Sequence, residues 1–356
     1  MAGERMADAD ADADASAVVL HPSDVVPGSR KLGRVLSALL PGWATDDCAN
    51  WLVGEKSEAL SNHVYHVVNP TIGEQVIVRV FGGGATTQAD ERLVENVIVR
   101  RLGEAGVGPG MLGTFSDGRV EEYLEGRPID TLEATRHCAD GIATALGRFH
   151  AKAEEALGEV EVETLEGRLR RWRKAVVEGL EGLEGLEGRR DGSLSWVSAL
   201  LDVDLEGLVA GMRGWERGVV HGDVHGLNII QDEGGSCRLL DFEYVCRGPI
   251  AYDLANHFAE WSWAGSLDVV EFRPARYPAF AERRRFCEVY LEERAGCVAV
   301  TADVETLLGQ CDACLRVSHY HWALWGLLAE QGLRRRGPLD YFEYARGRAR
   351  AFLELV

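Results

Sequence analysis

The residues best suited to chemistry lie in one short stretch. His221-Gly222-Asp223-Val224-His225-Gly226-Leu227-Asn228 is followed by Leu240-Asp241-Phe242-Glu243-Tyr244. The order Asp, Asn, Asp suits phosphoryl transfer from ATP. One carboxylate orients the attacking hydroxyl and helps deprotonate it, while an amide and a second carboxylate hold Mg²⁺ against the phosphates. Asp223 and Asn228 are separated by a loop with glycines at 222 and 226, which can turn both side chains towards one point. Asp232-Glu233-Gly234-Gly235 reads as a hairpin turn that brings Asp241 back beside Asn228, close enough to share a metal ion. His221 reads as a brace for the loop.

The elements that must position these residues follow a mixed pattern. From Trp51 to Val80 the chain alternates like strands, with a turn at Ile72-Gly73 and a return strand over Gln75–Phe81. Asp90 to Glu104 has helical spacing. Met111–Phe115 and Arg119–Leu124 add two strands around Ser116-Asp117-Gly118. Beyond Leu132 helices dominate: Thr135–Ala156, Leu165–Glu178, Ala251–Trp263, Phe280–Arg294, Val304–Gln331 and Asp340–Leu355. The β-rich segment 219–244 interrupts them and carries the opening motif. The fold class is therefore α+β, with a small N-terminal antiparallel sheet carrying one helix and a larger, mainly helical C-terminal lobe. The expected organisation is a disordered acidic tail over 1–30, a small lobe over 31–125 and a helical lobe over 126–356. A low-complexity Leu-Glu-Gly insertion lies at 179–190.

The bulk properties narrow the function classes. A net charge of −19 argues against general nucleic-acid binding, which needs a basic face. No apolar run is long enough to span a bilayer. Met1–Ser16 is built from Ala and Asp and lacks the basic start and apolar middle of a secretory signal, so reduced thiols in the cytoplasm are expected for the eight cysteines. Cys311-Asp312-Ala313-Cys314 has redox or metal-ligand spacing, but no second pair completes a tetrahedral site. It reads as two core thiols on one helix.

The stretch Val219–Trp263 resembles the choline/ethanolamine kinase family, a branch of the two-lobed protein-kinase-like fold to which aminoglycoside phosphotransferases are more distantly related. Two further segments carry the resemblance. They are Asn256-His257-Phe258-Ala259-Glu260-Trp261 and Ser318-His319-Tyr320-His321-Trp322-Ala323-Leu324-Trp325. The similarity extends over roughly residues 40–355. It implies Asp223 as catalytic base, Asn228 and Asp241 as Mg²⁺ ligands, and Asp253 as a structural brace of the catalytic loop. It implies a substrate ammonium placed by Glu260, Trp322, Trp325 and Tyr344. Trp322 and Trp325 are three residues apart and share a helix face, and indole faces attract a quaternary ammonium. In the small lobe the resemblance places Arg79 on the ATP phosphates, Glu95 as its partner, Ser61 and Asn62 in the phosphate-covering loop, and Glu122 in a hinge whose backbone meets adenine. The family's glycine before Ser61 is absent, since Glu58-Ala59-Leu60 precedes it.

The expected activity is ATP-dependent phosphorylation of choline or ethanolamine for phospholipid biosynthesis, with ATP and Mg²⁺ bound between the lobes. Trp261 and Trp263 add aromatic character and point to choline. Two alternatives are a kinase of another small hydroxyl compound, such as an aminoglycoside, and a catalytically inactive kinase-like binding protein. Against the second stands the intact trio Asp223, Asn228 and Asp241. Relatives in the family often form homodimers.

Overall fold

The computed structural model describes residues 15, 18–58, 62–82, 89–180, 194–264, 271–333 and 340–355. Apart from Ala15, the Ala/Asp start of the chain lies outside the described residues, as do Ser61 and most of the Leu-Glu-Gly insertion. The chain divides into two compact units, Met1–Gly84 with Pro109–Leu124, and Ala85–Gly108 with Glu125–Val356.

The first unit holds helix α1 (Arg30–Leu39) and strands β1 (Leu52–Glu58), β2 (Asn62–Asn69) and β3 (Glu74–Phe81), with β4 (Met111–Phe115) and β5 (Gly118–Glu122) after the excursion to the second unit. The strands form one antiparallel sheet in the order β1-β2-β3-β5-β4. Alternation decides what faces inward. Val76, Val78 and Val80 of β3 are buried with Val67, Val120, Trp43 and Trp51, and α1 adds Leu32, Val35 and Leu36. Ser29 caps α1 by accepting from Leu32 N–H. The acidic tail expected over 1–30 is contradicted at its end. Leu20 and Val25 are buried in this core, and Leu20 N–H donates to Asp117 Oδ1 at 2.9 Å. Two apolar side chains with a core to enter outweigh the acidic composition upstream.

Arg79 on β3 stands directly opposite Arg119 on β5. Two like charges at paired positions repel. Glu121, two residues beyond Arg119, resolves the conflict: its Oε1 accepts from Arg79 Nε at 3.1 Å and from Arg119 Nε at 2.5 Å, and all three side chains are buried. Burial raises the Glu121 carboxyl, but the two guanidiniums outweigh it and hold it down to about 2.

The second unit contains α2 (Ala89–Glu104), β6 (Arg127–Pro128), α3 (Leu132–His137), α4 (Ala139–Leu157), α5 (Leu165–Glu178), α6 (Ser195–Leu201), α7 (Leu205–Ala210), β7 (Arg217–Val220), β8 (Ile229–Gln231), β9 (Cys237–Leu239), β10 (Cys246–Pro249), α8 (Ala251–Glu260), β11 (Trp263–Ala264), β12 (Glu271–Phe272), α9 (Phe280–Ala295), α10 (Thr301–Leu333) and α11 (Tyr341–Glu354). The helix expected to ride on the small sheet, α2, instead packs within this unit on α4 and on the turn Phe242–Tyr244. The single helix expected over 135–156 is two, because the chain leaves helical geometry at Cys138 (φ −93°, ψ 3°). The helix expected to reach Trp263 stops at Glu260, and Trp263 pairs with Phe272 in a short hairpin. Helix α4 buries Ile142, Leu146, Phe149 and Ala153 at three- to four-residue spacing, and α10 packs on α8, α5 and α11.

The Arg79–Glu121–Arg119 cluster yields a test. Glu121→Gln leaves two buried guanidiniums facing each other and lowers stability by about 3–5 kcal/mol near neutral pH. The wild-type carboxyl is depressed in the folded state. Its stabilisation is therefore full above the unfolded value of 4.5 and is lost as pH falls towards about 2. Urea unfolding of both proteins should show a gap that narrows below about pH 4.5. A gap unchanged from about pH 5 to about pH 3 contradicts the assignment.

Candidate active site

The loop after β7 is built on a buried carboxylate. Asp253, at the start of α8, accepts from the backbone N–H of His221 at 2.6 Å and of Gly222 at 2.9 Å. His150 of α4 adds its Nε2 at 3.0 Å, and His150 Nδ1 meets the Tyr290 hydroxyl of α9 at 2.7 Å. Gly222 has φ +86°, and a Cβ there would lie 2.2 Å from Tyr244 O. A Cβ on Gly226 would lie 2.0 Å from Ile129 O. Both glycines are therefore steric requirements of this loop. The His221 ring ties the loop to the far strand: Nε2 donates to Leu240 O at 2.8 Å, and Nδ1 accepts from Asp223 N–H at 3.3 Å.

Asp223 and Asn228 are brought together directly. Asn228 Nδ2 donates to Asp223 O at 3.1 Å and to Asp223 Oδ2 at 3.0 Å, so the amide is oriented with its oxygen directed away from Asp223. The hairpin runs as the spacing predicts. β8 pairs with β9, Asp232 and Gly235 close the turn, and Leu240 N–H donates to Asn228 O at 2.8 Å. Asp241 follows at once, with φ 62° and ψ 80°, the one non-glycine residue of positive φ among those described. A left-handed backbone at such a residue costs roughly 1–3 kcal/mol and marks a place where side-chain direction outranks local comfort.

Electrostatics tie the cluster together. His225 Nε2 sits 3.4 Å from Asp223 Oδ2. Burial, the largest single influence, raises the Asp223 carboxyl, but the charge and hydrogen bond of His225 together with His221 and Arg348 outweigh it, and the net shift is downward. Burial lowers His225, yet Asp223, Glu260 and Asp241 together raise it to about 9. The imidazole is thus a cation at neutral pH. Burial, Glu243, Asp223 and Asp241 likewise push the Tyr244 hydroxyl well up.

The second and third sequence signatures are stitched to each other. Asn256 Oδ1 accepts from the Ser318 hydroxyl and from Trp322 Nε1, both at 2.8 Å. This fixes α10 against α8 and sets up a run of rings. Trp322 meets Tyr244 at 5.2 Å and Trp325 at 5.5 Å; Trp325 meets Tyr344 at 5.7 Å; Tyr344 meets Trp263 at 5.1 Å between centroids. Trp325 Nε1 donates to the Tyr244 hydroxyl at 2.8 Å. Trp322 is buried and pinned at its nitrogen, whereas Trp325, Tyr344, Trp263, Glu260 and Asp223 are half-buried. The two indoles meet edge to face at 71° rather than as parallel walls. Trp261 lies outside this run. It is buried, donates to His257 Nε2 at 3.2 Å, and has Arg136 over its ring at 5.5 Å. Its expected share in the pocket is therefore not realised.

Several residues escaped the sequence reading. Arg348 on α11, fully buried, bonds Glu260 Oε1 and lies over the faces of Trp263 and Tyr344 at 4.6 and 5.2 Å. Glu260 thus already has a cationic partner within the protein. Tyr244 and His225 join the site as well, and both stand inside the motif itself, a signal that was available; Trp263, expected beside Glu260, is in place. In the first unit, Asn62 opens β2 and is buried, and Arg79 is held by Glu121 rather than standing bare. Glu95 is buried on α2 of the second unit. The Glu122 N–H donates to Gly110 O at 2.8 Å, and its Oε2 accepts from Gly110 N–H at 3.0 Å. Cys311 and Cys314 are buried on α10, with thiols pushed up by burial, so they are poor redox or metal groups. Among the described residues no helix is long and apolar enough to cross a membrane.

Asn228 and Asp241 fit Mg²⁺ in kind. Both offer hard oxygen ligands, and Mg²⁺ characteristically takes one or two such protein groups and completes its shell with phosphate oxygens and water.

Comparison with known proteins identifies the family. The family described as choline/ethanolamine kinase matches residues 53–353. A probable choline kinase of Arabidopsis thaliana is 32% identical over 330 residues, covering 89% of this chain and 91% of that protein. Among solved structures, a choline kinase from Cryptosporidium parvum superposes with a TM-score of 0.77 at 19% identity, covering 91% of this chain and 94% of the other. A Plasmodium vivax ethanolamine kinase gives 0.71 at 18% identity, covering 92% and 90%. These structures share the protein-kinase-like α+β fold. With the family match spanning most of its length, the chain belongs to the choline/ethanolamine kinase family.

Proposed function

We propose that this chain transfers the terminal phosphoryl group of ATP to the hydroxyl of choline or ethanolamine. The observation that carries the reading is the continuity of one cluster. Asp223 and Asn228 are hydrogen-bonded, Asp241 directly follows Leu240, whose N–H donates to Asn228 O, and Asp223 interacts electrostatically with Tyr344 and Arg348, the residues that contact Trp325, Trp263 and Glu260.

In the reaction the substrate oxygen forms a bond to the terminal phosphorus as the bond to the ADP oxygen breaks. Asp223, ionised at neutral pH, accepts a hydrogen bond from the hydroxyl and takes its proton as the new bond forms. Its low basicity suits a late proton transfer. Asn228 Oδ1 and Asp241 would hold Mg²⁺, which when bound neutralises phosphate charge. Trp325, Tyr344 and Trp263 supply aromatic faces for the ammonium and Glu260 a negative charge, while buried Trp322 holds Trp325 in place. Arg79, fixed by Glu121, is our candidate for a phosphate contact. All eight cysteines are unbridged, which supports a reducing, cytoplasmic setting. The product enters phospholipid synthesis in this reading.

Two experiments test these roles. Asp223→Ala should lower kcat for choline and ethanolamine by about 10²–10⁴ while the protein still folds, with a lowered melt because His225 and Asn228 lose their partner; near-parental turnover removes Asp223 from the chemistry. At Asp241 the two functions of the residue separate. Asn and Gly both tolerate the left-handed backbone, so Asp241→Asn and Asp241→Gly should fold within about 0.5 kcal/mol of the parent or more stably, while activity falls at least about 100-fold and the Mg²⁺ requirement rises. A stability loss for Asp241→Gly equal to that for Asp241→Ala contradicts the strain at this position.

A further inference from the structure

The groups around Trp325 and Tyr344 differ in what they can still accept. Arg348 donates from Nη2 to Glu260 Oε1, from Nε to the Tyr344 oxygen at 3.1 Å, and from Nη1 to His319 Nδ1 at 3.4 Å. A guanidinium has donors only, so each partner must be the acceptor. Burial, with Arg348 beside it, pushes His319 well down, which keeps that imidazole neutral and able to accept. The neighbouring acceptors are engaged too. Tyr244 oxygen receives Trp325 Nε1, and Asn256 Oδ1 receives Ser318 and Trp322. Among the described residues, Asn256 Nδ2, Trp263 Nε1 and the hydroxyl of Tyr341, whose ring meets Trp325 at 5.8 Å, are buried here without a partner; the first two are donors only, and the hydroxyl alone of the three can accept.

This pattern discriminates between two kinds of ammonium. A primary ammonium brings three N–H donors and loses affinity for each one left unmatched when it leaves water. A trimethylammonium has no N–H and needs only aromatic faces and negative charge. The repulsion from Arg348 falls on both alike and cancels in their ratio; the supply of acceptors does not. We infer that Arg348 is the specificity-determining residue of the acceptor site: by engaging Glu260, Tyr344 and His319 it sets the site for the N-methylated ammonium of choline over the primary ammonium of ethanolamine. This rests on the acceptor site proposed above.

The test is kcat/KM for ethanolamine, N-methylethanolamine, N,N-dimethylethanolamine and choline, with wild type and Arg348→Met. Wild type should improve with each methyl and favour choline by about tenfold or more. Arg348→Met releases three acceptors and should bring the choline-to-ethanolamine ratio to within about threefold of unity. If Arg348→Met fails to fold, Arg348→Lys keeps the charge without the planar fork and should lower the ratio at least about threefold. Calorimetric affinities for the two alcohols supply the same ratio for a variant with little turnover. A wild type that handles ethanolamine as well as choline overturns the inference, and so does a folded Arg348 variant with the wild-type ratio. A wild type that phosphorylates none of the four alcohols overturns the acceptor-site reading itself, and the inference with it.

Discussion

The active loop depends on one buried carboxylate. Asp253 has no exposure, and its two oxygens receive two consecutive backbone N–H groups, of His221 and Gly222, together with the ring of His150. A carboxylate so far from water is tolerable only when its acceptor sites are filled. Satisfying them forces Gly222 into the left-handed region and turns the chain so that Asp223 leaves the β7 edge towards Asn228. Because His150 belongs to α4 and its other nitrogen meets Tyr290 of α9, three helices converge on the same two amides. The catalytic loop is thus anchored to the interior of its unit, not merely hung between two short strands.

Charge is handled locally throughout. The chain carries a net −19, yet the carboxylates that matter are met by cations close at hand: Asp223 by His225, Glu260 by Arg348, Glu121 by Arg79 and Arg119. Such pairs do little for net stability once desolvation is counted, but leaving either partner alone is costly. They therefore act as geometric constraints. Arg348 illustrates the consequence, since the same guanidinium orients Glu260, occupies Tyr344 and His319, and covers one face of Trp263.

The parts legible in the sequence are those written in local spacing. Gly234-Gly235 announced the hairpin, the alternation over Gln75–Phe81 announced β3, and the apolar repeat over Leu165–Glu178 announced α5. The signatures around Asn256 and Ser318 were legible as strings, but the bond that joins them links residues 62 positions apart, and the pair Arg348–Glu260 spans 88. Long-range polar pairing of that kind has no local trace. The same reason hid Glu121, which reads as a surface carboxylate until β3 and β5 are set in register. Residues 18–29 misled in the other direction: the acidic run upstream coloured a segment whose Leu20 and Val25 belong to a core. Trp261 and Trp263 are two residues apart and looked equivalent, yet the end of α8 at Glu260 sends one into the interior and the other to Tyr344.

The dependence on Asp253 can be measured directly by amide hydrogen exchange at His221 and Gly222. If the carboxylate anchors the loop, both amides exchange only through large-scale unfolding in the parent protein, and Asp253→Asn speeds them by at least about 100-fold while amides in the first unit are unchanged. Parent amides that exchange as fast as those of exposed turns, or a variant that leaves them equally protected, contradict the account.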